Sequence, residues 1–509
     1  MKNCYILLLL ICQISLAQTT GILDTNYSQD GWDERFGHDN GFYLHETLVQ
    51  PDGKLLVCFQ GNFSNEGHQA MLFRYTTDGS HDVTFGGGDG QIKSVEDNLE
   101  AEETLWTRAY GMALQSTGKI VVAGDAFYSD ERIIRYNSDG SLDLSFGNNG
   151  KVDMPRENQE FIYDVLIQSD DKIVVLGKHE VSGSPDLFLW RFFPNGALDT
   201  NFGSQGKIVI PVSGNAFSES ELNAFRLVTG DKMILSRVIN LDGVQTFVVQ
   251  RLNPNGTIDA SFGNNGQFSY VGGIDSGFTI GDDGTFFFSV FEIVDDFGNG
   301  VSSILKANAE GTLIPDFEIL LDGSFGTNAF PTQIVSKGNL LYIWADTADF
   351  PQAPQLYCYN TNGTPVSSFG NNGKAIIEIP DILWSQGGLM NTTSSGNVLA
   401  AMVTHVSDTG SDVNLFTFSI VGESQLQVQD KKTATLALSP NPCGDLFSIK
   451  SDEPQMLSVA IYDNLGRKVL AKKDIADSES VEISGLSAGI YSVEITSDSS
   501  KSIQKLIKK

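Results

Sequence analysis

Cysteine, histidine and positive charge are all scarce in this chain. Of 509 residues five are cysteine and six histidine, and 33 lysines and arginines face 63 aspartates and glutamates. Cys4 and Cys12 lie in the N-terminal stretch MKNCYILLLLICQISLAQ, which leaves Cys58, Cys358 and Cys443, odd in number and far apart. That count excludes a disulfide framework, and the strand-like settings KLLVC and LYCYN read as small buried hydrophobes. His38, His45, His68, His81, His179 and His405 show no metal-ligand spacing, and no G-x-S-x-G elbow or phosphate loop occurs. The net charge of −30 repels phosphate, so nucleic acid is set aside as a partner. Residues 435–509 hold 9 basic and 10 acidic residues, so the acidity belongs to the part of the chain before them. Beyond the apolar run Tyr5–Ile14 no stretch approaches the roughly 20 apolar residues of a membrane span, so no transmembrane segment is expected.

What is present is repetition. SDGSLDLSFGNNGK at Ser138 returns as NPNGTIDASFGNNGQ at Asn253, FPNGALDTNFGSQGK at Phe193 and TTDGSHDVTFGGGDGQ at Thr76, with a weaker copy at Asn360. Anchored on its aromatic, the string recurs at Tyr27, Phe85, Phe146, Phe202, Phe262, Phe317 and Phe369, spaced 58, 61, 56, 60, 55 and 52 residues apart. A polar turn followed by an apolar run recurs between them, beginning at Gln50, Gln115, Gln168, Val228, Gly281, Ser336 and Ser394. Within 161–210, FIYDVLIQ, KIVVLGKH, LFLWRFF and KIVIP read as four short strands bounded by Asp, Asn, Gly and Pro. Four strands in about 57 residues cannot cover both of their faces, so neighbouring sheets must stack. The fold class expected is all-β: a seven-bladed β-propeller of four-stranded blades, followed by a small β-sandwich. The first aromatic copy precedes any hairpin, and the last hairpin at Ser394 lacks its final strand. Residues 21–36 are therefore expected to complete the blade ending near Val421, closing the ring with the N-terminal strand.

The domains expected are a signal peptide at 1–17, with its small-residue site at Ser15-Leu16-Ala17, a repeat propeller at 18–421, a polar linker at 422–434 and the sandwich at 435–509. The recurring [DN]GxLDxxFGxxGK resembles the bacterial delta-60 repeat over roughly residues 21–421, which implies a secreted propeller-like protein and hardly any chemistry. The copy at Glu310–Phe325 departs from it, having lost the glycine after Phe317. The C-terminal segment resembles the type A sorting domain of the type IX secretion system. The matching residues are Pro440, Asn441, Pro442 and Asp445 in PNPCGD, Tyr462, Asp463 and Gly466 in IYDNLGR, Gly489 and Tyr491 in SAGIYSVEI, and the terminal lysines. That resemblance implies handling by the secretion machinery through 435–509. The protein would then be released, or held at the outer surface, by a Gram-negative bacterium.

Within the repeat, Leu142 and Phe146 are expected to be wedged between sheets. Asp143, matched by Asp24, Asp82, Asp199 and Asp259, is read as a residue that bonds its own downstream backbone. A ring of such carboxylates is also a calcium-type oxygen set, but the matching positions elsewhere are Ile314 and Val366, and no calcium-loop order occurs. Trp106, Trp190, Trp344 and Trp384 are expected between blades, and the acidic run Glu96–Glu103 in a solvated insertion. No catalytic, cofactor-binding or metal residue is assigned. A monomeric, non-catalytic binding or adhesion module with a glycan or protein ligand outside the cell is expected. The alternative is a secreted enzyme degrading polysaccharide or peptide from an axial site.

Overall fold

A computed structural model describes residues 20–36, 42–63, 67–93, 107–126, 131–155, 160–179, 186–210, 222–241, 244–272, 274–293, 300–321, 329–347, 354–377, 384–405, 413–423, 437–450, 457–462, 467–475, 479–496 and 501–509. The expected signal peptide, the run Glu96–Glu103, Trp106 and most of the linker lie outside these residues. The chain divides into two compact units, Met1–Ser424 and Gln425–Lys509.

Among the described residues of the first unit, seven four-stranded antiparallel sheets follow one another. Sheet 1 spans 42–93, sheet 2 107–153, sheet 3 160–210, sheet 4 222–271, sheet 5 274–320 and sheet 6 329–376. In sheet 3 the strands are Glu160–Ile167, Ile173–His179, Asp186–Phe192 and Lys207–Ile210, paired in chain order and matching the four apolar runs read there. These runs are nearly continuous in β-branched, leucine and aromatic residues because both faces of the sheet are covered. Val174, Leu176, Leu187 and Leu189 pack on Met233 and Leu235 of sheet 4. From the other face Val175, Phe188 and Trp190 meet Val121 and Ile133 of sheet 2. Each such side chain contributes about 1.5–3 kcal/mol when fully buried.

Sheet 7 takes three strands from Trp384–Thr392, Val398–His405 and Val413–Ile420, and its fourth from the other end of the chain. Trp32–Phe36 pairs antiparallel to Val413–Ile420, with Trp32 opposite Phe418 and Phe36 opposite Asn414. Upstream of it Leu23 bridges Ile420. The first strand of every sheet touches the first strand of the next, and that of sheet 7 touches that of sheet 1. In sheet 5 the fourth strand, Leu313–Leu320, is longer than its counterparts, because the glycine turn missing after Phe317 no longer interrupts it.

The second unit holds a three-stranded sheet, from Ala437–Ser439, Leu446–Lys450 and Ser480–Glu482, and a four-stranded sheet. The latter runs in the order Lys468–Ile475, Leu457–Tyr462, Gly489–Thr496, Lys501–Lys508. Phe447, Ile449, Ile461, Val493, Ile495 and Leu506 form its core. Among the described residues no helix is long and apolar enough to cross a membrane.

Candidate functional site

The repeated residues meet one another across sheet boundaries. Gly140 opens its turn at φ +85°, and a Cβ there would lie 2.8 Å from the Phe85 ring of the preceding repeat. The same approach joins Gly79 to Tyr27, Gly196 to Phe146, Gly256 to Phe202, Gly311 to Phe262 and Gly363 to Phe317. The last of the series is Gly21 on Phe369, 3.1 Å from its ring, so the final aromatic is covered by the N-terminal segment. Phe146 is wedged between sheets as expected and fully buried, whereas Leu142 is only partly covered.

Asp143 bonds its downstream backbone through Oδ1, which accepts from Ser145 N at 3.2 Å. Its Oδ2 has a second role that the repeat string does not announce. Arg135 Nε donates to it at 2.7 Å and Lys119 Nζ at 2.7 Å. The guanidinium lies 4.4 Å over the Phe146 ring, and its Nη1 donates to the carbonyl of Pro194 in the next repeat. Arg74–Asp82–Phe85, Arg191–Asp199–Phe202 and Arg251–Asp259–Phe262 repeat this latch. Lys306 takes the arginine's place in sheet 5, 5.4 Å from the Phe317 ring. Burial by itself would raise the carboxyls of Asp82, Asp143 and Asp259, yet lysine, hydroxyl and arginine partners hold them well below the usual carboxylate range. Asp24 departs from the pattern and accepts from Asn397 Nδ2 at 2.8 Å. The arginine eight residues before Asp82, Asp143, Asp199 and Asp259 was the legible signal, lying just upstream of the turn on which the repeat is anchored.

A different group of charges gathers on the first strands. Glu46 of sheet 1, Asp164 of sheet 3 and Arg226 of sheet 4 are close enough to act on one another, and Arg226 Nη1 reaches Asp164 Oδ2 at 3.3 Å. Glu46 and Asp164 each follow a β-bulge, which turns the side chain out of the regular alternation. Gly111 of sheet 2 makes room, since a Cβ there would lie 2.8 Å from Asp164 Oδ1. Nearby first strands add His45 against Tyr110, ring centroids 5.3 Å apart, and Asn391 Nδ2 donating to Thr47 Oγ1 at 2.7 Å. The Asp164 side chain is 14% exposed and that of Arg226 49%, so the group is wetted from one side. Glu46 and Asp164 each lie four residues before a repeated glutamine, as Gly111 does, but no short string joins them to Arg226. Among the described residues no set of three or more His, Cys, Asp or Glu is arranged to hold a metal ion.

Burial pushes the Glu46 and Asp164 carboxyls up, and Arg226 only partly offsets it. A carboxyl with a raised folded-state value favours the folded state below the ordinary range near 4, and that contribution is lost as pH rises through the raised value. Glu46→Gln is therefore expected to stabilise the protein by about 1–3 kcal/mol at pH 8 and to change little at pH 4. Denaturant melts at the two pH values check this, and an equal effect at both would refute it.

The expected tryptophans Trp190 and Trp344 are buried between sheets. Cys58, Cys358 and Cys443 are buried free thiols, and burial pushes Cys58 up to about 12. In the second unit the motif residues converge on the last strand. Asn441 Nδ2 donates to Lys505 O at 2.6 Å and its Oδ1 accepts from Ile507 N at 2.9 Å. Lys508 Nζ donates to Asp445 Oδ1 at 2.9 Å and Ile483 O at 2.6 Å, while Tyr491 Oη donates to Ser487 O at 2.8 Å. Asp463 and Gly466 lie outside the described residues.

Residues 437–509 match the family described as the secretion system C-terminal sorting domain. Residues 50–85, 115–146, 168–202 and 234–262 match a β-propeller family described as a domain of unknown function, DUF5122, with which the delta-60 resemblance agrees. No curated protein matches the chain. Among solved structures, the β-propeller domain of the Trilobed protease from Pyrococcus furiosus is similar at 8% identity and TM-score 0.41, over 76% of this chain and 97% of that one. Polysaccharide lyase Uly1 is similar at 10% identity and TM-score 0.40, over 79% of this chain and 96% of the other. An acylaminoacyl peptidase from Pyrococcus horikoshii follows at 10% identity and TM-score 0.39, over 81% and 58%. Likenesses this distant say nothing of activity.

Proposed function

We propose, for a chain that carries a secretion system sorting domain behind β-propeller repeats, that it is an extracellular binding protein. It is exported through the type IX machinery, and its seven sheets close into a ring. Ring closure is supported by the pairing of Trp32–Phe36 with sheet 7 and by the cover that Gly21 gives Phe369. The observation that carries the binding reading is the gathering of Glu46, Asp164 and Arg226 from three sheets, half-buried yet wetted. Such groups fix the orientation of a ligand, while the repeated Arg–Asp pairs are already engaged in holding sheets together. A second reading rests on the same residues: a carboxyl raised by burial is suited to general acid work, and two of them at one mouth favour an enzyme that cleaves polysaccharide or peptide.

Screening the protein against glycans and peptides, with hydrolysis and lyase assays beside it, separates the two. Under the binding reading a ligand is retained unchanged, and Asp164→Asn weakens retention by roughly tenfold or more. Turnover of any polymer, abolished by the same substitution, would establish the enzyme instead. For export, fusion of residues 422–509 to a periplasmic reporter is expected to send the reporter across the outer membrane of a competent host. A reporter that stays periplasmic would count against a sorting role.

A further inference from the structure

Between sheets 4 and 5, on the side of the repeated turns, lies a cavity of about 170 Å³. Its apolar wall includes Val228, Phe262, Ile280 and Phe286, and Arg251 lies beside them. The two preceding interfaces show why it is there. Between sheets 2 and 3 the buried Gln115 fills the corresponding space: its Oε1 accepts from Arg135 Nη1 at 2.9 Å and its Nε2 donates to Asp171 O at 2.9 Å. Between sheets 3 and 4 Gln168 occupies the same place, accepting from Arg191 Nη1 at 3.4 Å but donating to Pro254 O, in the repeated turn and not the hairpin turn, at 3.1 Å. In sheet 4 the residue at this position is Val228, and in sheet 5 it is Gly281. The arginine frame is retained, since Arg251 keeps its bonds to Asp259 and to Ala309 O, at 2.7 Å each, but the amide that Arg135 and Arg191 bind is missing.

We propose that this cavity receives the acetamido group of an N-acetylated amino sugar. The carbonyl oxygen accepts from Arg251 Nη1 as the Oε1 of Gln115 and of Gln168 does in the two preceding interfaces. The N–H stands where Gln115 Nε2 stands, facing a hairpin turn whose counterparts here, Asp283 and Gly284, line the cavity. The methyl group lies on Phe262, Phe286 and Ile280, a surface on which a primary amide would leave a polar NH2. A space of this size is smaller than the roughly 300–1,000 Å³ of a pocket for a whole drug-sized ligand. One substituent enters, and the sugar ring stays at the mouth, where Thr229, Lys232 and the exposed Asp283 meet its hydroxyls. The site is separate from the first-strand group of Glu46, Asp164 and Arg226, and does not depend on the function assigned there.

The test is calorimetric titration of the whole protein with N-acetylglucosamine, glucosamine, acetamide and a glutamine-containing peptide. N-acetylglucosamine is expected to bind with a Kd of about 1 mM, in keeping with the few atoms buried, and glucosamine at least about tenfold more weakly. Val228→Gln, which restores the side chain of the neighbouring interfaces, is expected to abolish binding with the melting temperature unchanged or raised. Val228→Leu fills the same space without a new polar group and is expected to do likewise. Glu46→Gln and Asp164→Asn leave this binding intact, so failure here and failure of the first-strand reading are told apart. Equal affinity for glucosamine, tighter binding of the glutamine peptide, undiminished binding in both Val228 variants, or no binding by any sugar would each overturn the proposal.

Discussion

A chain beginning at Asp39 is expected to lose its single cooperative melt. Tyr27, fully buried, and Trp32, 5.5 Å from the Phe416 ring, leave with the removed segment, and so does the cover over Phe369. Removing one large buried aromatic costs about 3–5 kcal/mol. Tyr27 alone therefore takes a large share of the stability of a folded domain, about 5–15 kcal/mol, and the partly buried Trp32 adds to the loss. The loss is compounded because Val413–Ile420 becomes an open edge carrying Leu415, Phe416, Phe418 and Ile420, which invites association with another chain. Calorimetry and light scattering of the shortened chain check both effects. A melt indistinguishable from that of the full chain would mean that the N-terminal strand does not hold the sheets together.

Substitution of Asp143 by alanine is expected to rank next. It leaves the Arg135 guanidinium buried against Phe146, and Lys119 beside it, without a carboxylate. Breaking a buried pair from one side costs about 3–5 kcal/mol, most of it from the charge left behind. Because the Asp143 carboxyl is held below the usual range, its contribution is complete above pH 4 or so and disappears as pH falls through the depressed value. The gap between Asp143→Ala and the unsubstituted protein is therefore widest at neutral pH and closes on acidification. Denaturant midpoints at pH 7 and pH 3 measure the first part of this narrowing, since the folded-state carboxyl is still ionised at pH 3. A constant gap would assign the loss to the turn that Oδ1 braces, not to the ion pair.

The repeat made the strands readable, because a period near 57 residues with turn glycines at fixed offsets leaves little freedom in where each sheet begins and ends. It also drew attention to Asp143 for half of the right reason: the turn bond is visible in SLDLS, whereas the bond to Arg135 joins residues eight apart through the turn and begins outside the repeated string. Trp190 and Trp344 fell where periodic apolar residues must fall when both faces of a sheet are covered. Glu46 and Asp164 share a place in the repeat, four residues before Gln50 and Gln168, but 118 residues separate them, sheet 2 has Gly111 there, and nothing in the sequence joins them to Arg226. The cavity beside Val228 was written in the sequence only as a departure, a valine where three earlier copies have glutamine, and its meaning depended on knowing what Gln115 and Gln168 bond.

The pairing of Trp32 with Phe418 also governs order in time. Residues at one end of the first unit must wait for residues at its other end, so this partnership closes one of the longest loops among the described residues and bears a correspondingly large loop-closure entropy. Refolding should accordingly show a slow final phase reported by Trp32 fluorescence, after the hairpins of the middle sheets have formed. Until that phase ends, Val413–Ile420 presents an unpaired edge to any other chain.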